Sequence, residues 1–89
     1  MSATHNSRRQ ALIRDIGAIL DDYLTGRIDH DAAKAAISAI FGAPTCRVAV
    51  TDVARYLNRV LELARNGGMS RAEAVDNLVN MEMSFEVYA

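Results

Sequence analysis

The sequence predicts a small, mainly α domain of four helices, on three observations. Apolar residues recur at the i, i+3, i+4 spacing of a helix in four successive stretches. Each of the first three stretches ends at a glycine. The composition, 51% hydrophobic and 24% charged, is that of a globular protein and not of a disordered one. A chain of 89 residues suits one domain that buries roughly two-thirds of its unfolded surface. Helices are expected at about 7–25, 29–41, 52–66 and 70–80, with 1–6 a flexible N-terminus and 7–89 a single domain.

Ser7 is placed to cap the first helix, whose apolar stripe is Leu12, Ile13, Ile16, Ile19, Leu20, Tyr23 and Leu24. Gly26 follows as a left-handed stop. Asp29 caps the second helix, and Asp31 lies in its positive first turn. Ala33, Ala36, Ile37, Ile40 and Phe41 form its buried face, and Gly42 and Pro44 end it. From Thr45 to Val50, the side chains of Cys46, Val48 and Val50 alternate with Arg47 and Ala49, which is the pattern of a short strand or extended connector.

Thr51 or Asp52 caps the third helix, which buries Val53, Leu57, Val60, Leu61 and Ala64 before the break at Asn66-Gly67-Gly68. Ser70 and Glu73 read as a capping box, with Met69 and Ala74 spaced as a hydrophobic staple. The fourth helix buries Val75, Leu78 and Val79. Its end admits two periods. Met81, Met83, Phe85 and Val87 alternate as in a strand, whereas Leu78, Met81, Phe85 and Tyr88 keep helical spacing. A strand at 81–88 would need a mate, either 45–50 or the sheet edge of another chain.

Ten basic residues against eleven acidic give a net charge of −1, which removes the broad electrostatic basis for nucleic-acid binding. The single cysteine, Cys46, excludes an internal disulfide and a cysteine-rich zinc site. No apolar run approaches the roughly 18 residues of a membrane helix, and MSATHNSRRQ lacks the hydrophobic region of a signal peptide. A cytoplasmic protein that does not engage membranes is expected.

Candidate chemistry is sparse. His5 and His30 have no second His or Cys one turn away, and Asp29-His30-Asp31 reads as an ordinary helix N-terminus. Cys46 has no neighbouring histidine, and Asp21 and Asp22 point about 100° apart on a helix. Gly67-Gly68 precedes a helix but lacks the lysine of a phosphate loop. No catalytic residue, metal ligand or cofactor is expected.

Two readings of function remain. Helices 52–66 and 70–80, joined by a short glycine turn, have the form of a helix-turn-helix DNA-binding regulator that presents Ser70, Arg71, Ala74 and Asn77. Its charges cancel, with Arg55, Arg59, Arg65 and Arg71 against Asp52, Glu62, Glu73 and Asp76. The leading expectation is instead a non-enzymatic protein-binding module, an inhibitor or adaptor of the kind common among bacterial and phage regulators.

Three features support that expectation. Arg8 and Arg9 sit at the positive end of helix one, and Asp21 and Asp22 at its negative end, each against the macrodipole. Two copies packed antiparallel as a homodimer would match those charges. On helix three, Arg55, Arg59, Glu62 and Asn66 fall on one stripe opposite Leu57 and Leu61, and Arg55 and Arg59 are like charges one turn apart. Finally, Phe85 and Tyr88 lie in an apolar run at the chain end that either packs on the domain or meets another chain.

Overall fold

The computed structural model describes residues 3–41 and 50–88, and side chains over 7–41 and 53–84. Four helices follow one another: α1 (Ala3–Leu24), α2 (His30–Phe41), α3 (Val50–Asn66) and α4 (Arg71–Tyr88). Each packs on its chain neighbours, and α4 closes the ring by packing on α1. At a rise of about 1.5 Å per residue, α1 alone is about 33 Å long, close to the molecule's longest dimension of 36 Å.

The core is the sum of the four predicted stripes. Leu12, Ile16 and Leu20 of α1, Ala33 and Ile37 of α2, Leu57 and Leu61 of α3, and Leu78 and Val79 of α4 are almost wholly buried. Ile19, Ile40 and Ala64 lie at its margin. Ile13 and Leu24, expected in the stripe of α1, are exposed instead. They flank a run in which Leu12, Ile16, Leu20 and Tyr23 already fill the inward face.

The helix stops obey local chemistry. Gly26 has φ +82°, the left-handed conformation that costs glycine nothing. Arg27 N donates to Asp22 O at 2.8 Å and Gly26 N to Tyr23 O at 3.2 Å, which is the Schellman pairing that satisfies terminal carbonyls. Gly67, also at φ +82°, ends α3 in the same way, with Gly68 N donating to Leu63 O at 2.9 Å. Asp29 caps α2 by accepting from Ala32 N at 2.8 Å. The capping box of α4 closes in both directions. Glu73 N donates to Ser70 Oγ at 3.1 Å, and Ser70 N donates to Glu73 Oε1 at 3.2 Å.

Three expectations are corrected. α1 starts at Ala3, so Ser7 lies inside it, and residues 3–6 are helical. Nothing between Ala3 and Ser7 is a helix breaker. α3 starts at Val50, so Thr51 and Asp52 belong to its first turn and Val50 is helical. The rest of the strand expected at 45–50 lies outside the described residues.

The run 81–88 is helix, not strand: α4 continues unbroken to Tyr88. Its buried residues are Ala74, Val75, Leu78, Val79, Glu82 and Met83, a clean helical period. The sequence hides that period because its fifth member is a carboxylate. Glu82 is only 4% exposed, with Oε2 accepting from Arg8 at 3.0 Å.

Removing the chain after Asn80 therefore takes away Met83, 8% exposed, and the buried partner of Arg8. Burying one methionine is worth roughly 1.5–3 kcal/mol, and each kcal/mol moves the melting point of a domain this size by about 4–8 °C. A chain ending at Asn80 is expected to melt on the order of 10 °C lower or more by circular dichroism. An unchanged melting point would show that the end of α4 carries no stability.

Candidate functional site

The charges singled out on α1 are partnered within the chain. Because α4 runs antiparallel to α1, its end reaches the start of α1 and its start reaches the end of α1. Arg8 meets Glu82 at 3.0 Å. Arg9 donates to Asp76 Oδ1 and Asn80 Oδ1, both at 2.8 Å. At the other end Arg71 grips Asp21 with both Nε and Nη2, the latter at 3.1 Å. Asp22 pairs locally with Arg27 at 3.6 Å. This corrects the premise for an antiparallel homodimer, since the reversed charges of α1 are matched by α4 and by Arg27 and need no second copy.

A shallow recess lies along the same seam, lined by Ile13, Arg71, Ala72, Val75 and Asp76. Its volume of about 200 Å³ falls below the roughly 300–1,000 Å³ of sites that enclose a small-molecule ligand. The Arg71 guanidinium lies across Gly17, where a Cβ would stand 2.8 Å from Nη2. The glycine leaves room for the arginine to reach Asp21, one turn further along α1.

His30, the centre of the Asp29-His30-Asp31 cluster, is a structural link. Its Nε2 stands 2.8 Å from Asn58 Oδ1 and its Nδ1 3.3 Å from the Tyr23 hydroxyl. The ring also sits edge-on to Tyr23 at 6.0 Å, while Arg65 lies 5.7 Å over the Tyr23 ring. One histidine thus ties α1, α2 and α3. Among the described residues no group of three His, Cys, Asp or Glu side chains could hold a metal ion. His5 and Cys46 lie outside the described side chains.

The residues a helix-turn-helix would offer to DNA are committed elsewhere. Ala74 is in the core, Arg71 is held by Asp21, and Asn77 Nδ2 lies 3.5 Å from the Met69 sulfur. Ser70 is occupied in the capping box.

The stripe on α3 stands as expected. Arg55, Arg59, Glu62 and Asn66 are all exposed, opposite the buried Leu57 and Leu61. Among the described residues, Arg8, Arg9, Arg14, Arg27 and Arg71 each pair with a carboxylate, and Arg65 covers an aromatic ring. Arg55 and Arg59 do neither, and Glu62, a turn beyond Arg59, forms no ion pair with it.

To one side of the two arginines stands Tyr56, 39% exposed. In the sequence Tyr56 keeps helical spacing to both Val53 and Val60, so the period alone gave no sign that it stands at the solvent edge of the buried stripe. Phe85 and Tyr88 are on α4, but their side chains lie outside the described residues.

No helix among the described residues is long and apolar enough to cross a membrane. No protein family, curated protein or solved structure matches the chain.

Two outcomes follow for the α1–α4 seam. The hydrogen bond from Arg71, and then its charge, lower the pKa of Asp21 below the ordinary 3.8. An acid depressed on folding stabilises the fold above its unfolded pKa, and that contribution is lost as pH falls through the folded value. The stability gap between wild type and Asp21→Asn is therefore expected to be full near neutrality and to close below about pH 3.8 in acid titrations followed by circular dichroism. A constant gap down to strong acid would rule the clamp out.

Gly17→Ala probes the same contact from beneath. Alanine gains roughly 0.5–1 kcal/mol over glycine inside a helix, but here the new methyl displaces Arg71. The substitution is expected to be near neutral in the wild-type chain and to stabilise by about 0.5–1 kcal/mol in an Arg71→Ala background. Equal effects in both backgrounds would show that Arg71 does not rest on Gly17.

Proposed function

We propose that the chain is a non-enzymatic, cytoplasmic regulatory module that acts by protein–protein contact, as an inhibitor or adaptor, through the exposed face of α3. One observation carries this reading: Arg55 and Arg59 stand a turn apart without a carboxylate, beside the half-exposed Tyr56, while the chain's other described arginines are engaged. Like charges at that spacing cost about 0.2–0.5 kcal/mol on an isolated helix, and a partner's carboxylates would turn that cost into charge-assisted hydrogen bonds. Tyrosine and arginine are also the residues in which binding energy concentrates at interfaces.

The alternative, a helix-turn-helix DNA binder, is weakened by the commitments of Arg71, Ala74 and Asn77 described above. A homodimer loses its electrostatic support for a parallel reason.

Among the described residues, replacing Arg55 and Arg59 with alanine removes no ion pair or hydrogen bond, so the stability of the double variant is expected to stay within about 0.5 kcal/mol of wild type. Affinity capture from the native host with both chains as bait should then retain a protein partner on the wild type and lose it on the variant. A partner held equally by the two would remove α3 from the interface, and recovery of nucleic acid instead of protein would favour the DNA-binding reading.

A further inference from the structure

The spacing and surroundings of the two arginines restrict what can occupy this face. Side chains four apart on a helix sit about 6 Å apart along its axis. Each guanidinium offers a planar fork that matches one carboxylate in two hydrogen bonds. A helical partner with Asp or Glu at i and i+3 or i+4 repeats the same spacing, so two acids meet two arginines in one register. Tyr56, to one side of them and 39% exposed, provides a flat apolar surface with a polar tip for a large side chain beside the acidic pair. Glu62 follows one turn beyond Arg59 and is exposed, so it repels a longer acidic run and limits the match to two carboxylates.

We infer that the α3 face of Arg55, Tyr56 and Arg59 receives an acidic helical segment of a different protein, one with two carboxylates a turn apart beside a large apolar residue. This deepens the protein-binding reading and rests on it.

A second copy of the chain does not fit that description. The sequence holds two acidic pairs at this spacing, Glu73/Asp76 and Glu82/Glu86. In the first, Glu73 closes the capping box and Asp76 accepts from Arg9. In the second, Glu82 is buried on Arg8. Each pair thus has at least one carboxylate already engaged within the chain. Duplex DNA fits poorly as well, because the positive stripe is two residues long, ends at Glu62, and belongs to a chain of net charge −1.

The test is a selection of short random peptides on the full-length chain, with the Arg55→Ala/Arg59→Ala double variant as counter-target once circular dichroism shows that it is folded. Enriched peptides are then titrated by fluorescence anisotropy against wild type, the double variant and Tyr56→Ala. Peptides enriched on the wild type should carry Asp or Glu at i and i+3 or i+4 next to a Leu, Met or aromatic residue. Their affinity should fall about tenfold for each arginine removed and should weaken with salt.

Peptides that require Arg55 and Arg59 but lack the acidic pair would overturn the acidic-helix inference while leaving the α3 binding face in place. Equal enrichment on both targets would overturn the face as well. Tighter binding of a short DNA duplex would reassign the face to nucleic acid. A dimer in sedimentation equilibrium that the double variant abolishes would reassign it to a second copy.

Discussion

Helix α4 lies antiparallel on α1, and the remaining elements are placed by that pairing. Its apolar seam does the energetic work. Leu12, Ile16 and Leu20 from one side and Val75, Leu78 and Val79 from the other are all buried, and each such side chain is worth roughly 1.5–3 kcal/mol. The ion-paired side chains along the seam are more than a third exposed, except for Glu82, and surface pairs of that kind contribute about 0–1 kcal/mol each. Burial therefore drives the pairing, and the charges select its direction. A parallel α4 would bring Arg71 to the arginine end of α1 and Glu82 to the aspartate end, with like charges facing at both.

This explains why α1 tolerates charges opposed to its own macrodipole. The cost of placing Arg8 and Arg9 at the positive end and Asp21 and Asp22 at the negative end is a few tenths of a kcal/mol for each charge. Arg71 at the start of α4 is misplaced in the same sense. Across an antiparallel pair the two sets of misplaced charges become complementary, and a small local penalty gains a specific tertiary contact. Gly17 belongs to that arrangement, because its missing side chain is the space over which Arg71 reaches Asp21.

The consequence for function is a segregation of charge. The α1–α4 side of the molecule is internally neutralised by Arg8, Arg9 and Arg71. The α3 side keeps two arginines, a tyrosine and one glutamate facing outward. His30, Tyr23, Asn58 and Arg65 link the flank of α3 to α1 and α2, so the exposed stripe stands on a helix tied to its neighbours. An interface built on such a helix needs little reorganisation on binding, which limits the entropy lost there.

Much of the fold is legible in the sequence because it is set locally. Helical period, the Asp29 cap, the Ser70–Glu73 box and the glycines at 26 and 67 each act within a few residues, so the chain order of the residues already contains their geometry. The exposed stripe Arg55–Arg59–Glu62 is local in the same way, following from the period of α3 alone. What the sequence could not supply was the identity of partners distant along the chain. Arg8 and Glu82 are 74 residues apart and Arg71 and Asp21 are 50 apart. The helix at 81–88 was obscured for the same reason, since Glu82 occupies a core position where distant Arg8 is brought to meet it. Tertiary structure alone decided which charges were answered within the chain and which of the described ones were not.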